Sequence, residues 1–512
     1  MDTQNDNTDM STYTKLRLVD LAAVPNWYPH VFPRTKNLQS FRDAYSHLKN
    51  DECMDVTESI AGRIDYIRTV GSNLFFVAIE SDGIFLQILA NKKYYMNQDE
   101  FLLNKKILRR GDIIGATGYP TRSTKGELSI LPVKITLLAP CIHDIPKYKG
   151  GFANDASRFG QRYLDLIMHH PSRDIIKMRA GVYKFIRKYL DDRDFIEVET
   201  PILSTKIGGA NAQPFITYHN DLNKKMSMRI APELFLKQLV IGGLERIYEL
   251  GKQFRNEGID STHNPEFTSI EIYQTYADYQ TMMAITEEML SGLVFAMTGS
   301  YLVKYDLMDL KTNTSKSVDI DFTPPFQKLD MMADLQKYGN FVFPPEILND
   351  LSSNPNTFRH FLMYICQERN IVCSEPQTIP RLLDKLVSTY LEPLCMHPTF
   401  IIGHPQIMSP LAKYDRNNNL LTERFELFVV GRELANAYTE LNDYRTQKAC
   451  FEKQAADKAC GDEEAQPTDN NYIRALEYGL PPCGGLGIGI DRLIMLLTNQ
   501  SAIKEVLTFP PH

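Results

Sequence analysis

Residues 246–279 read RIYELGKQFRNEGIDSTHNPEFTSIEIYQTYADY. Ile247, Tyr248 and Leu250 lead into a strand, and Thr268 to Tyr273 alternate as a returning strand does. Between them lies a long polar loop holding Arg255, Glu257, His263, Asn264 and Glu266. The stretch therefore predicts an antiparallel hairpin with a charged loop. An arginine there presents a planar fork suited to phosphate or carboxylate oxygens. A lone arginine in a hairpin is most often a surface residue. The density of polar groups between two apolar strands favours an anion site centred on Arg255.

Three other segments frame the hairpin. Residues 175–203, IIKMRAGVYKFIRKYLDDRDFIEVETPIL, place Val182, Phe185, Ile186, Tyr189 and Leu190 on one helical stripe. The helix ends over Asp191 to Asp194, and Phe195, Ile196 and Val198 read as a strand stopped by Pro201. Taken alone, this is core packing or a dimer surface. Residues 481–497, PPCGGLGIGIDRLIMLL, alternate Gly485, Gly487 and Gly489, which leaves one strand face bare for a ligand or another backbone. Asp491 is placed to cap the following helix, with Arg492 in its first turn. The run lacks G-K-[ST], so it is no P-loop, and lacks an early βαβ unit, so it is no dinucleotide fingerprint. Residues 424–443, RFELFVVGRELANAYTELND, hold Glu426 and Glu433 seven apart. Near a triphosphate such a pair suits magnesium, although any single glutamate is more often a solvated surface acid. Asn436, Tyr438 and Glu440 alternate and share one strand face.

The 512 residues allow two or three domains. A hydrophobic share of 43%, a charged share of 23% and a net charge of -7 are those of an ordinary globular chain, which excludes a molecule basic over its whole surface. No run approaches the ~18 apolar residues of a membrane span, and MDTQNDNTDM has no signal-peptide pattern. Eight scattered cysteines without a C-x-x-C pair argue against a disulfide framework or zinc site and fit a reducing compartment.

Residues 1–50 read as an N-terminal arm, either loosely packed or with an ordered helix near NLQSFRDAYSHLKN docked on the next domain. Residues 51–147 hold five short alternating runs, ESIAGRIDYI, NLFFVAIE, GIFLQILA, DIIGATGYP and LSILPVKITLL, which predict a five-stranded β-barrel such as an OB-fold. Residues 148–170 read as a linker leading into a helix, and 171–512 as one α+β domain of alternating helices and strands, with AADKACGDEEAQPTDN as a surface loop or helix end. Residues 101–150 carry nine basic residues against three acidic ones, a candidate phosphate-backbone surface on the barrel. The alternative is a solvated face. The Phe75–Phe76 pair strengthens the first reading, because strand aromatics can stack on unpaired bases, and alternation turns only one of them outward.

The helix–strand ending at Pro201, the FRNE run with Arg255 and Glu257, and the Gly-rich strand with Arg492 resemble motifs 1, 2 and 3 of class II aminoacyl-tRNA synthetases. RYLDLI, GGANAQPFITYHNDL, MRIAPELFLK, FRNEGIDSTHNPEFT, NAYTELND and EYGLPP are similar to the lysyl-tRNA synthetases in particular. The resemblance covers about residues 55 to 512. It implies an N-terminal OB-fold, a catalytic domain with a six- or seven-stranded antiparallel sheet flanked by helices, and a homodimer through motif 1 near 176–203. It implies that lysine and Mg-ATP give lysyl-adenylate, and that the lysyl group passes to the 3′ end of tRNA(Lys) in the cytoplasm. By the same resemblance, Arg255 holds the α-phosphate and the lysine carboxylate. His263 and Arg492 contact the outer phosphates. Phe267 stacks on adenine with Arg492 on its other face, while Glu257, Asn264 and Gly489 help seat the nucleotide. Glu426 and Glu433 carry magnesium. Glu440 and Tyr273 receive the lysine cation, and Gly209, Glu233, Glu271, Asn436 and Tyr438 line the rest. Arg63, Phe76 and Gln87 match anticodon-binding positions.

Two other readings compete. An aspartyl or asparaginyl enzyme would need basic pocket groups where Glu440 and Tyr273 stand. A catalytically dead RNA-binding relative would show a degraded set in place of the intact Arg255, Glu257, His263, Glu426, Glu433 and Arg492.

Overall fold

The computed structural model describes residues 11–22, 24, 27–146, 152, 155–206, 208–210, 212–309, 314–346, 355–459 and 468–511. The first ten residues, much of the 148–154 stretch and residues 460–467 of the stretch read as a surface loop or helix end lie outside the described residues. The chain divides into two compact units, Met1–His170 and Pro171–His512.

In the first unit, strands β1 (Glu58–Val70), β2 (Leu74–Ser81), β3 (Ile84–Asn91), β4 (Ile113–Arg122) and β5 (Leu128–Ala139) close into a barrel of order β1-β2-β3-β5-β4. This is the five-stranded barrel that the alternating runs predict. Each run turns one face inward: Phe75, Val77 and Ile79 of β2 are fully buried. Helices α1 (Thr12–Leu21) and α2 (Leu38–Tyr45) bury Leu21, Leu38 and Phe41 in the barrel's own core cluster. Arg17 reaches Asp112 through a bidentate pair, Nη2 donating to Oδ1 at 2.7 Å and Oδ2 at 2.8 Å, with both side chains almost wholly buried. The apolar residues of α1 and α2 are sparse, so only their partner surface reveals them as core. Helix α3 (Gln98–Ile107) adds Phe101 to that core, and α4 (Asp155–Gly160) and α5 (Arg162–Met168) occupy the segment read as linker.

The second unit opens with α6 (His170–Asp191), whose stripe of Ile175, Val182, Ile186, Tyr189 and Leu190 is buried. Asp194, at φ 62°, turns the chain into β6 (Ile196–Glu197). A small sheet of β7 (Leu203–Ser204), β8 (Ile216–His219) and β9 (Lys224–Met228) follows, then helix α7 (Glu233–Ile241). The hairpin predicted for 246–279 forms as β10 (Arg246–Phe254) and β11 (Glu266–Thr275), in unbroken register from Arg246↔Gln274 to Phe254↔Glu266. Asp278 caps α8 (Tyr279–Thr298) by accepting from the Gln280 and Thr281 amides. Strands β12 (Leu302–Asp309) and β13 (Thr314–Asp321) pair as a ribbon. β14 (Gln327–Asp330) leads into a helical cluster of α9 (Met331–Gly339), α10 (Pro355–Glu368) and α11 (Ile379–Tyr390), packed round Phe358, Leu362 and Leu382. β15 (Thr399–Ile402), β16 (Arg424–Val429), β17 (Arg432–Thr439) and β18 (Cys483–Gly489) complete the sheet, with α12 (Tyr444–Ala459), α13 (Asn470–Leu476) and α14 (Ile490–Leu497) around it.

Among the described residues the main sheet has eight strands, in order β14-β15-β16-β17-β18-β11-β10-β6. The expectation of six or seven antiparallel strands holds for the six interior ones. The two edge pairs, β14·β15 and β10·β6, are parallel, so the whole sheet is mixed. Both edge strands are short and are joined to their partners by long connections, which permit a parallel approach that a hairpin does not. Helices α6, α8 and α14 share one core with the sheet, built round Ile270, Ile272, Leu486 and Ile488.

Candidate active site

The sheet register assembles the site. One row across five strands reads Glu426, Asn436, Gly487, Glu271 and Glu249, and the next reads Arg424, Tyr438, Gly485 and Tyr273. The glycines of β18 run down the middle, so neighbouring side chains lean over a floor without Cβ atoms. A Cβ at Gly485 would overlap the Glu440 carboxylate and stand 2.8 Å from the Tyr273 ring. Above this floor opens a cleft of about 450 Å³.

Every catalytic-domain residue given a substrate or metal role by the resemblance lines this cleft except Glu426. At one end the residues are cationic. The Arg255 amide closes the hairpin loop by donating to Pro265 O at 2.9 Å. Its guanidinium lies 5.0 Å over the Phe267 ring, and burial pulls its pKa down against the attraction of Glu257, Glu433 and Glu271. Arg492 donates through Nη1 to the Glu433 carbonyl at 2.6 Å, and its Nη2 lies 3.2 Å from His263 Nε2. The cation over Phe267 is thus Arg255 in this structure, while Arg492 leans toward His263 and Glu433. Asp260 braces the loop: its Oδ1 accepts from the His263 amide at 2.8 Å, and its carboxylate is held far below the ordinary range once the Thr262 and His263 hydrogen bonds outweigh its slight burial. Asn264 Nδ2 donates to Glu266 O at 2.6 Å.

At the other end the residues are acidic. Glu233, Glu271 and Glu440 line the cleft together with Tyr273, Tyr438, Gly209 and Asn436. Tyr273 donates to Glu271 Oε2 at 3.0 Å and Tyr438 to Glu233 Oε1 at 2.8 Å. Burial, with the charge of Glu233, pushes the Glu271 carboxyl up to about 8. Burial also raises Tyr273 and Tyr438, with Glu271 and Glu233 respectively adding to it.

Glu433 lines the cleft, whereas Glu426 stands back from it. Arg424 Nη2 donates to Glu426 at 2.5 Å and His404 Nε2 lies 3.4 Å away. Burial would raise Glu426, but these two groups draw it down to about 2. Burial and the Glu426 charge push Glu433 the other way. Among the described residues no group of three or more His, Cys, Asp or Glu is clustered as for a metal.

Asp491 does not cap its helix. Gly489 holds the cap position without a side-chain bond, and Asp491 sits in the first turn. Its Oδ1 accepts from Arg179 Nη1 of α6 at 2.6 Å and its Oδ2 from the Thr268 amide of β11 at 2.6 Å. One buried carboxylate thereby ties two of the framing segments to the central hairpin. Local spacing could not show this, because the partners come from far along the chain.

On the barrel, Phe75 is buried and Phe76 faces outward with the Arg68 guanidinium 4.7 Å over its ring. Gln87 Nε2 donates to Ser129 Oγ at 2.9 Å and Arg63 Nη1 to Gly111 O at 2.7 Å. Part of the basic surface is already engaged: Arg109 pairs with Asp20 at 3.0 Å and Lys105 bonds the Gly71 carbonyl at 2.7 Å.

The family model for class II tRNA synthetases (D, K and N) matches residues 154–512. A lysine–tRNA ligase, cla4, of Cladosporium cladosporioides is 47% identical over 489 residues, covering 94% of this chain and 80% of the relative. The chain belongs to the class II lysine–tRNA ligases. A probable cytoplasmic lysine–tRNA ligase of Enterocytozoon bieneusi is 42% identical, covering 95% of this chain and 93% of its own. A lysine–tRNA ligase of Methanoculleus marisnigri is 39% identical over 94% of this chain. The family agrees with the acid-rich end of the cleft and disposes of the aspartyl and asparaginyl alternative. Two residues of the site escaped the sequence reading. Arg424, which also donates to Asn436 Oδ1 at 3.1 Å, gave no signal beyond its place in an alternating strand. Lys237 gave one, a charge four residues after Glu233 in an otherwise apolar helix.

Proposed function

We propose that the chain activates L-lysine with Mg-ATP at this cleft and transfers the lysyl group to the 3′ end of tRNA(Lys). The observation that carries the reading is the polarity of the cleft: an arginine end built on Arg255 and Arg492 adjoins a carboxylate end built on Glu233, Glu271 and Glu440. Lysine fits such a pocket because its ammonium costs several kcal/mol to bury unpaired. Aspartate would meet like charge there, and asparagine would bring no cation to the open oxygen of Glu440.

A carboxylate oxygen of lysine attacks the α-phosphorus. The bond from that phosphorus to the oxygen bridging it to the β-phosphorus breaks, and pyrophosphate leaves. Because the nucleophile is already ionised, no protein base is required. Arg255 is positioned to hold the lysine carboxylate and the α-phosphate together, with His263 and Arg492 on the outer phosphates and Phe267, Glu257, Asn264 and Gly489 seating the nucleotide. Donors aimed at such developing charge contribute roughly 3–4 kcal/mol each. Glu433 would hold magnesium, with Glu426 behind it. Magnesium, when bound, neutralises charge on the phosphates. In the second step a terminal ribose hydroxyl attacks the lysyl carbonyl, gives up its proton, and AMP departs.

The barrel would read the anticodon through Arg63, Phe76 and Gln87, with Phe76 stacked on a base. The chain would work as a homodimer joined through residues 176–203. No helix among the described residues is long and apolar enough to cross a membrane, and the relative from Enterocytozoon bieneusi is called cytoplasmic; we place this chain in the same compartment. Lysine-dependent ATP–pyrophosphate exchange tests the reading. Exchange with aspartate or asparagine but not lysine would overturn the substrate, and no exchange with any amino acid would overturn the activity.

A further inference from the structure

The acidic end of the cleft already contains a cation. Lys237 lies one turn after Glu233 on α7, and its side chain is fully buried. Its Nζ is 2.5 Å from Glu233 Oε1, makes a second ion pair with Glu440 Oε2, and stands 5.5 Å from the centroid of the Tyr438 ring. Burial lowers its pKa, but Glu233 and Glu440 more than reverse that, so it stays charged.

The two oxygens of Glu440 are therefore not equivalent. Oε2 belongs to Lys237. Neither oxygen has a hydrogen bond of ordinary geometry among the described residues, and Oε1, which lacks the ion pair as well, points at the place where Gly485 lacks a Cβ, beside the edge of the Tyr273 ring. An unpartnered carboxylate oxygen buried in this way is costly unless a donor arrives. Glu233 and Glu440 share one resident cation, while Glu271 accepts from Tyr273. Burial raises the Glu440 carboxyl well above the usual carboxylate range against the pull of Lys237, so a second cation arriving at its open oxygen would favour the ionised form.

Resting on the lysine-activating reading above, the geometry points to Lys237 as a positioning residue for amino-acid selection: it holds Glu233 and Glu440 side by side and turns Glu440 Oε1 into the cleft to receive the substrate's ε-ammonium. Without it, two carboxylates would face each other in a buried space, and repulsion would turn them apart or protonate one. In either case the acceptor for the substrate cation is lost, while the phosphate end of the cleft is untouched.

The experiment is ATP–pyrophosphate exchange by the full chain and by Lys237→Met and Lys237→Arg, with melting curves for each. Lys237→Met keeps the volume and removes the charge. Lys237→Arg keeps the charge, but its fork can take both oxygens of Glu440 and leave none for the substrate. In both variants the KM for lysine should rise about tenfold or more while the KM for ATP stays within about twofold, the pattern of a lost contact to one substrate. A lysine KM unchanged in Lys237→Arg would reduce Lys237 to a core ion pair and overturn the inference. So would equal losses for lysine and ATP, or the failure of both variants to fold. Absence of lysine-dependent exchange by the unmodified chain would instead overturn the functional reading itself.

Discussion

Arg179 and Asp491, 312 positions apart in sequence, meet in an ion pair of 2.6 Å. Arg179 belongs to the first framing segment and Asp491 to the last, and Asp491 also accepts from the Thr268 amide in the central hairpin. Arg179 Nη2 completes the link by donating to Thr268 Oγ1 at 2.9 Å. The strands of the cleft are thus locked to α6 through one carboxylate.

Replacing Asp491 by Ala should therefore destabilise the second unit. It leaves the mostly buried Arg179 guanidinium uncompensated, which costs about 3–5 kcal/mol when a buried pair is broken on one side. Urea unfolding would show it as a lower midpoint. A shift below about 1 kcal/mol, the level of an exposed pair, would mean that solvent or another group replaces Asp491.

Gly485→Ala should damage lysine use with little effect on folding. The added Cβ enters the space between the Glu440 carboxylate and the Tyr273 ring. Overpacking of this kind costs about 1–3 kcal/mol, and here it falls on the acceptor for the substrate cation, so the lysine KM should rise about tenfold or more with ATP affinity kept. A normal lysine KM would mean that Glu440 swings aside at no cost.

Glu440→Gln keeps the shape and removes the charge. Loss of a hydrogen bond to a charged group is worth about 1.5–3 kcal/mol, so the lysine KM should rise about 10- to 100-fold while ATP binding holds. Parallel losses in both, measured by exchange kinetics, would assign Glu440 to the fold instead.

Glu271 makes a prediction about pH. Burial, with Glu233, raises it from 4.5 to about 8, so the folded chain keeps a proton that the unfolded chain releases. Its contribution to stability is complete below 4.5 and is lost as pH rises toward 8. An ammonium bound beside it favours the ionised form. Lysine binding should then release a proton, and the lysine KM should fall as pH rises toward 8. Calorimetry in buffers of different ionisation enthalpy measures the proton; none released would place the substrate cation away from Glu271.

Phe76→Ala removes the outward aromatic of β2 and leaves the buried Phe75 in place. Stacking on one base is worth about 1–3 kcal/mol, so the KM for tRNA(Lys) in aminoacylation should rise while exchange with lysine alone is unchanged. Loss of both activities would mean that Phe76 supports the barrel.

The barrel and the hairpin were legible because their signals are local. A strand that buries one face must alternate, as NLFFVAIE and FTSIEIYQ do, and a bare glycine strand is written in its own residues. The family's shared motifs carried the cleft residues with the same directness. The eight-stranded mixed sheet, the docking of α1, the withdrawal of Glu426 behind Arg424 and His404, the bond of Asp491 to α6 and the pairing of Lys237 with Glu440 were not written in any window. Each depends on side chains that come within reach only after the chain has crossed the sheet or packed on another element. A charge in sequence carries no mark of whether it will be solvated or buried against a partner, and burial decides its chemistry. The residues alone determined which groups the site would contain; tertiary structure decided which of them face the substrate and which hold the others in place.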